Sequence, residues 1–148
     1  MMKLYIFKEV SVRVPRQKIF NLFDKIMSKE SETDAGSRVN LVFTTKKRVQ
    51  HLNKSHRQID KATDVLSFNL DDSNGDDSVF GEIYISTAVA RVQALKFANT
   101  FSDELLKLTC HGLLHLLGYD HFKKNDAVKM KNREEYFLST LMLNTGVS

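Results

Sequence analysis

Three of the five histidines in this 148-residue chain crowd into one short stretch, Thr109-Cys110-His111-Gly112-Leu113-Leu114-His115-Leu116-Leu117-Gly118-Tyr119-Asp120-His121. A neutral imidazole offers a ring-nitrogen lone pair and is a common ligand for transition metals. His111 and His115 stand four residues apart in a leucine-rich segment that reads as helix. Both rings then leave the same helix face, about 6 Å apart along the axis. Gly118 supplies the left-handed conformation that ends many helices, so the chain reverses and brings His121 back toward the first two. Such a set builds a three-nitrogen metal site with an open fourth position. A lone histidine on an apolar helix is more often a hydrogen-bonded core residue. Three of them, with a helix-stopping glycine between the second and third, point to a metal instead. Zinc is the default ion, while nickel, copper and iron also suit nitrogen ligands.

The offsets match those of metzincin peptidases, H-E-x-x-H-x-x-G-x-x-H, at His111, His115, Gly118 and His121. The second position differs, being Gly112 and not Glu. In those peptidases the glutamate is the general base. The chain therefore keeps the ligand spacing and lacks the peptidase base. Cys110, next to a ligand, should point about 100° away from it and reads as a small buried hydrophobe.

The elements that must position these residues follow from periodicity. Residues 4–12 read as a strand at a sheet edge. Pro15 suits the first turn of a helix over 16–29, whose Ile19, Phe20, Leu22, Phe23, Ile26 and Met27 share one side. Residues 30–37 are a polar loop. Val39, Leu41 and Phe43 alternate in a strand, and Thr44 or Thr45 caps a short helix through about Lys54. Residues 64–69 and 80–86 read as a strand pair across an acidic loop, Asp71 to Asp77, with Asn74-Gly75 as a turn signal. Helices follow over 87–98, over 102–117 with Ser102 as N-cap, and over 125–142. The whole predicts one α/β (α+β) domain over residues 1–148, a mixed sheet of about four strands with packed helices.

Composition agrees with a globular domain, at 42% hydrophobic and 27% charged residues. No apolar run approaches 18 residues, and Leu4 to Phe7 is too short for a secretory signal. With a single cysteine no internal disulfide forms, so the expected place is the cytoplasm, with no membrane role. The net charge of +4 is uneven. Residues 1–60 carry 13 Lys and Arg against 6 Asp and Glu, whereas residues 61–148 carry 9 against 12. A basic half is compatible with RNA, although from charge alone a solvated basic surface is the simpler explanation.

Four pieces together carry a resemblance: Leu52-Asn53 followed by Arg57; Thr63-Asp64-Val65-Leu66-Ser67-Phe68; Gly81-Glu82-Ile83-Tyr84-Ile85; and the histidine stretch from His111 to His121. In order and spacing they resemble the YbeY family of single-strand-specific endoribonucleases, which act in rRNA maturation. The resemblance implies that His111, His115 and His121 hold one zinc ion, with another divalent metal as the alternative. It also implies that Arg57 is the functional arginine of the cleft and that the fold is a central sheet with helices around it. It further implies maturation of the 16S rRNA 3′ end, with pre-rRNA, the small ribosomal subunit and assembly factors as partners. The chain departs from the family at Asn69, where proline is usual, and at His56, where an aromatic residue is usual. His56 reads as a flat replacement for that aromatic before it reads as a proton carrier.

The chemistry this predicts is phosphodiester hydrolysis at His111, His115 and His121, with Arg57 binding phosphate through its fork of N–H donors. Asp120 is expected either to orient a ligand imidazole or to form the turn after Gly118. Glu82 is expected to face solvent from its strand or to lie at a distance in the cleft. Two other classes stay open at this point. One is a metallopeptidase-like zinc hydrolase. The other is a non-catalytic RNA-binding assembly factor whose zinc is structural.

Overall fold

The computed structural model describes residues 2–30, 37–59, 61, 63–70 and 78–142. The order of elements is β1 (Lys3–Lys8), α1 (Arg16–Glu30), β2 (Arg38–Thr44), α2 (Lys46–Arg57), β3 (Val65–Asn69), β4 (Val79–Ser86), α3 (Thr87–Lys96), α4 (Phe101–Leu116) and α5 (Lys124–Leu138). The strands form one mixed sheet in the order β1-β2-β4-β3. β1 and β2 are parallel, as are β2 and β4, while β3 runs antiparallel to β4. This is the predicted α+β architecture, with β1 at an edge and the 64–69 and 80–86 segments paired.

Strand alternation divides the sheet into two faces. Val39, Leu41, Phe43, Ile83 and Ile85 are fully buried on one face, against Ile19, Leu22 and Ile26 of α1 and Leu105, Leu106 and Leu113 of α4. α5 closes this layer with Met130 and Phe137. The opposite face is covered by α2 over a second, smaller cluster of Val49, Leu52 and Leu66, with Phe68 and Tyr84 beside it. Helices on both faces explain why β2 is buried along nearly its whole length.

Several boundaries differ from the expectation. β1 ends at Lys8, not at residue 12. Thr45 caps α2 by accepting the Arg48 N–H, and the helix continues one turn past Lys54. It stops where Gln58 takes a left-handed conformation, φ 59°, and donates its N–H to the carbonyls of Asn53 and Lys54. Arg57 therefore sits in the last helical turn. The cap of α4 is Thr100, whose hydroxyl accepts the Asp103 N–H, and Ser102 lies inside the first turn. α5 ends at Leu138, four residues before the predicted boundary. The predicted acidic loop, with its Asn74-Gly75 turn, and most of the predicted polar loop over 30–37 lie outside the described residues. Among the described residues no helix is long and apolar enough to cross a membrane.

Candidate metal centre and its cleft

α4 lies directly on the sheet because Gly112 permits it. A Cβ at Gly112 would sit 2.8 Å from Ile83 Cγ2 and 3.0 Å from Ser67 Oγ. The Ser67 hydroxyl also donates to the Gly112 carbonyl at 3.1 Å. Gly112 therefore points at β3 and β4, into space already filled. A glutamate there has no room to serve as a peptidase base, and the metallopeptidase reading loses its remaining support. Gly81 provides a second close approach, with Leu116 side-chain atoms 2.6 and 2.8 Å from where its Cβ would be. Asn69 fastens the end of α4 by donating its side-chain N–H to the Leu116 carbonyl at 2.9 Å. That bond satisfies one of the orphan carbonyls of the helix terminus. A proline at position 69 could not make it.

With α4 held in this way, His111 and His115 leave one face toward the mouth of the sheet. The Gly118 backbone is left-handed, φ 102°, as the sequence predicts, and the chain turns back there. His121 returns to the pair. The ring centroids of the three histidines lie 4.6, 5.6 and 5.2 Å apart. One ligand atom from each ring lies within 4.8 Å of the others. The Nε2 atoms of His111 and His115 are 3.1 Å apart. Two nitrogens bound tetrahedrally to one zinc ion would be separated by roughly 3.4 Å. The donor set therefore fits a small divalent ion, with one side open to the cleft.

A carboxylate orients the first ring. Glu134 Oε1 lies 2.6 Å from His111 Nδ1. An ionised carboxylate only accepts, so the His111 proton stays on Nδ1 and the Nε2 lone pair turns inward. Glu134 is 23 residues further along, on α5, where sequence reading had no local signal for it. Asp120 does not take this role. Its Oδ1 accepts the Phe122 N–H at 3.2 Å, forming the turn that swings His121 back. The pKa of His115 is lowered by burial first, then by His111, His121 and Arg57 nearby. Each of these favours the neutral ring that a metal ligand requires. Burial, with Glu134 adding to it, pushes the Cys110 thiol well above its ordinary range, in keeping with an inert core residue.

Arg57 reaches the same cleft from α2. The cleft has a volume of about 540 Å³ and is lined by Asn53, Arg57, Lys61, Ser67, the three histidines and Phe122, among others. Arg57 Nη2 donates to the Ser67 carbonyl at 3.2 Å, and its guanidinium lies 5.8 Å from the Phe68 ring centre. His56 lies on the same ring, centroids 5.0 Å apart, and is not part of the cleft lining. It is exposed, not half-buried as expected of a replacement for an aromatic residue. Glu82 is outside the cleft lining too. It accepts from Asn40 and from the Tyr84 hydroxyl, both at 3.0 Å. Tyr84, half-buried and beside that carboxylate, has its pKa pushed up to about 12.

A second network secures the turn. The Tyr119 hydroxyl donates to Glu30 at the end of α1, and Arg133 of α5 pairs with the same carboxylate. The residue that follows Arg133 is Glu134, so α1, the turn and the His111 partner are tied together.

Fold and site define a class: an α+β protein with a three-histidine centre that can hold a metal, open to a cleft carrying one arginine. Comparison with known proteins narrows this. The model of the family described as Endoribonuclease YbeY matches residues 5–142, and the chain belongs to that family. A relative from Desulforamulus reducens, Endoribonuclease YbeY, is 35% identical over 143 residues, covering 93% of this chain and 94% of its own. Another of the same name, from Desulfitobacterium hafniense, is 39% identical over 125 residues, with 79% and 78% covered. The solution structure of the Thermotoga maritima protein TM1509 superposes with a TM-score of 0.59 at 31% identity, covering 93% and 90% of the two chains.

Proposed function

We propose that the chain is a metal-dependent endoribonuclease that hydrolyses phosphodiester bonds of single-stranded RNA, as one domain spanning residues 1–148. The observation that carries this reading is the meeting of the three histidine nitrogens and Arg57 in a single open cleft. In this reading His111, His115 and His121 hold one zinc ion, which supplies Lewis acidity to a phosphoryl oxygen and acidifies water. His111 has a double role, as ligand and as part of the catalytic centre. Arg57 binds the scissile or adjacent phosphate and stabilises the charge that builds on it. Lys61, in the same cleft, adds positive charge along the RNA path. Family membership supports rRNA as the substrate, with the 16S rRNA 3′ end as the processing target. The corresponding partners are the small ribosomal subunit and its assembly factors, in the cytoplasm.

The test is cleavage of a labelled single-stranded rRNA fragment by the wild type, by His111→Ala and by a chelator-treated sample, with elemental analysis of bound metal. The expected result is cutting by the wild type alone, with one metal per chain. Arg57→Ala should keep the metal and lose cleavage by about a hundredfold or more, the usual cost of removing a charge-stabilising donor. Metal bound without cutting would favour the RNA-binding assembly factor with structural zinc.

A further inference from the structure

Phe122 follows directly on the third histidine, and its side chain is 87% exposed. It is the most exposed of the large hydrophobic residues that are described. Phe122 lines the cleft of the three histidines together with Arg57 and Lys61. It lies 5.5 Å from the His121 ring at an interplanar angle of 39°. Its backbone N–H is held by Asp120. Ile59, 49% exposed, lines the same cleft from the chain segment after α2. Two exposed apolar side chains therefore border a cleft whose charged groups are Arg57, Lys61 and Asp64, beside the three imidazoles.

Leaving a phenyl ring in water forfeits burial that a core position would provide. A flat π-face beside cations is what a single-stranded nucleic acid uses, since phosphates take the charges and unstacked bases take the ring. We propose that Phe122 is a base-stacking residue for the nucleotide beside the scissile phosphate, and that it is a determinant of selection for unpaired RNA. The proposal rests on the endoribonuclease reading and adds to it how the substrate is recognised. A base in a duplex is already stacked on both sides and must leave that stack to reach the ring. A base in a single strand pays much less. Stacking of this kind accepts every base, so the subsite selects strandedness more than sequence. Phe122 acts on binding and leaves the reacting groups alone.

The experiment compares wild type, Phe122→Ala and Phe122→Trp on a single-stranded RNA with a mapped cut site. The same RNA is also used with an abasic nucleotide scanned across that site. Metal content and RNA binding by fluorescence anisotropy are measured in parallel. Phe122→Ala should raise KM on the order of 5- to 150-fold, the range for loss of one base stack, with kcat and metal content unchanged. Phe122→Trp should restore KM. An abasic nucleotide next to the cut should weaken the wild type and have no added effect on Phe122→Ala. Equal KM and equal RNA affinity for Phe122→Ala and wild type would overturn the proposal. If the wild type binds RNA and does not cut, the endoribonuclease reading fails, while the anisotropy of Phe122→Ala still decides the stacking role.

Discussion

At the scale of single residues, the Glu134 carboxylate is the side chain that most changes the reading of the site. It is 2.6 Å from His111 Nδ1 and half-hidden beside it. Partners of this kind fix the tautomer of a ligand imidazole and raise its basicity, and their loss usually weakens metal binding 10- to 100-fold. Glu134→Ala should lower zinc affinity by about that factor, read by competition with a chromogenic chelator. Glu134→Gln keeps an acceptor oxygen and should lose less. Equal affinity for wild type and Glu134→Ala would show that the α4 backbone alone orients the ring. Cys110 gives a contrasting expectation. It is fully buried, so a thiol reagent should label the unfolded chain and leave the native protein unlabelled over the same interval. Rapid labelling of native protein would place the thiol on an opening segment.

At the scale of elements, the position of α4 decides the site. Its first turn depends on Thr100, which accepts the Asp103 N–H at 3.0 Å. Thr100→Ala should cost about 1 kcal/mol in a urea melt, the usual loss for an N-cap oxygen. Its middle depends on Gly112. Alanine there gains up to about 1 kcal/mol of helix propensity. The same methyl would lie 2.8 Å from Ile83 Cγ2 in the filled core, and overpacking costs about 1–3 kcal/mol. Overpacking wins, so Gly112→Ala should lower stability by about 1 kcal/mol net. A higher urea midpoint would mean that Ile83 moves aside cheaply. The geometry also explains why the peptidase comparison breaks at this position. The helix needs its smallest residue where it crosses β4, and a catalytic glutamate would have to stand in the same place.

At the scale of the whole molecule, α4, the turn after it, α5 and α1 are joined around the histidines. Glu30, Tyr119 and Arg133 form one network, and Glu134 continues it to His111. An ion held by residues of α4 and of the returning turn binds the folded state and stabilises it by linkage. With free zinc at 100 times Kd the gain is about 2.7 kcal/mol. For a chain of this size that corresponds to roughly 5–11 °C in melting temperature. Thermal melts with zinc and with chelator should differ by that amount in the wild type and coincide in His115→Ala. Equal melting temperatures for the wild type would mean that the ion does not bind the native fold.

Local chemistry made much of this legible in advance. The i,i+4 histidines, the glycine turn and the strand alternation are short-range patterns, so the three ring donors and the mixed-sheet class could be read from the residues alone, while the cap of α2 is narrowed to Thr44 or Thr45. The sequence also pointed to Arg57 through a motif, although not to its place on a helix. Tertiary packing decided the rest. Glu134 meets His111 from 23 residues away, Asn69 caps a helix 47 residues further on, and Gly112 is small because β3 and β4 press against it. Contacts between distant segments depend on how helices are laid on the sheet, and no local periodicity encodes that placement.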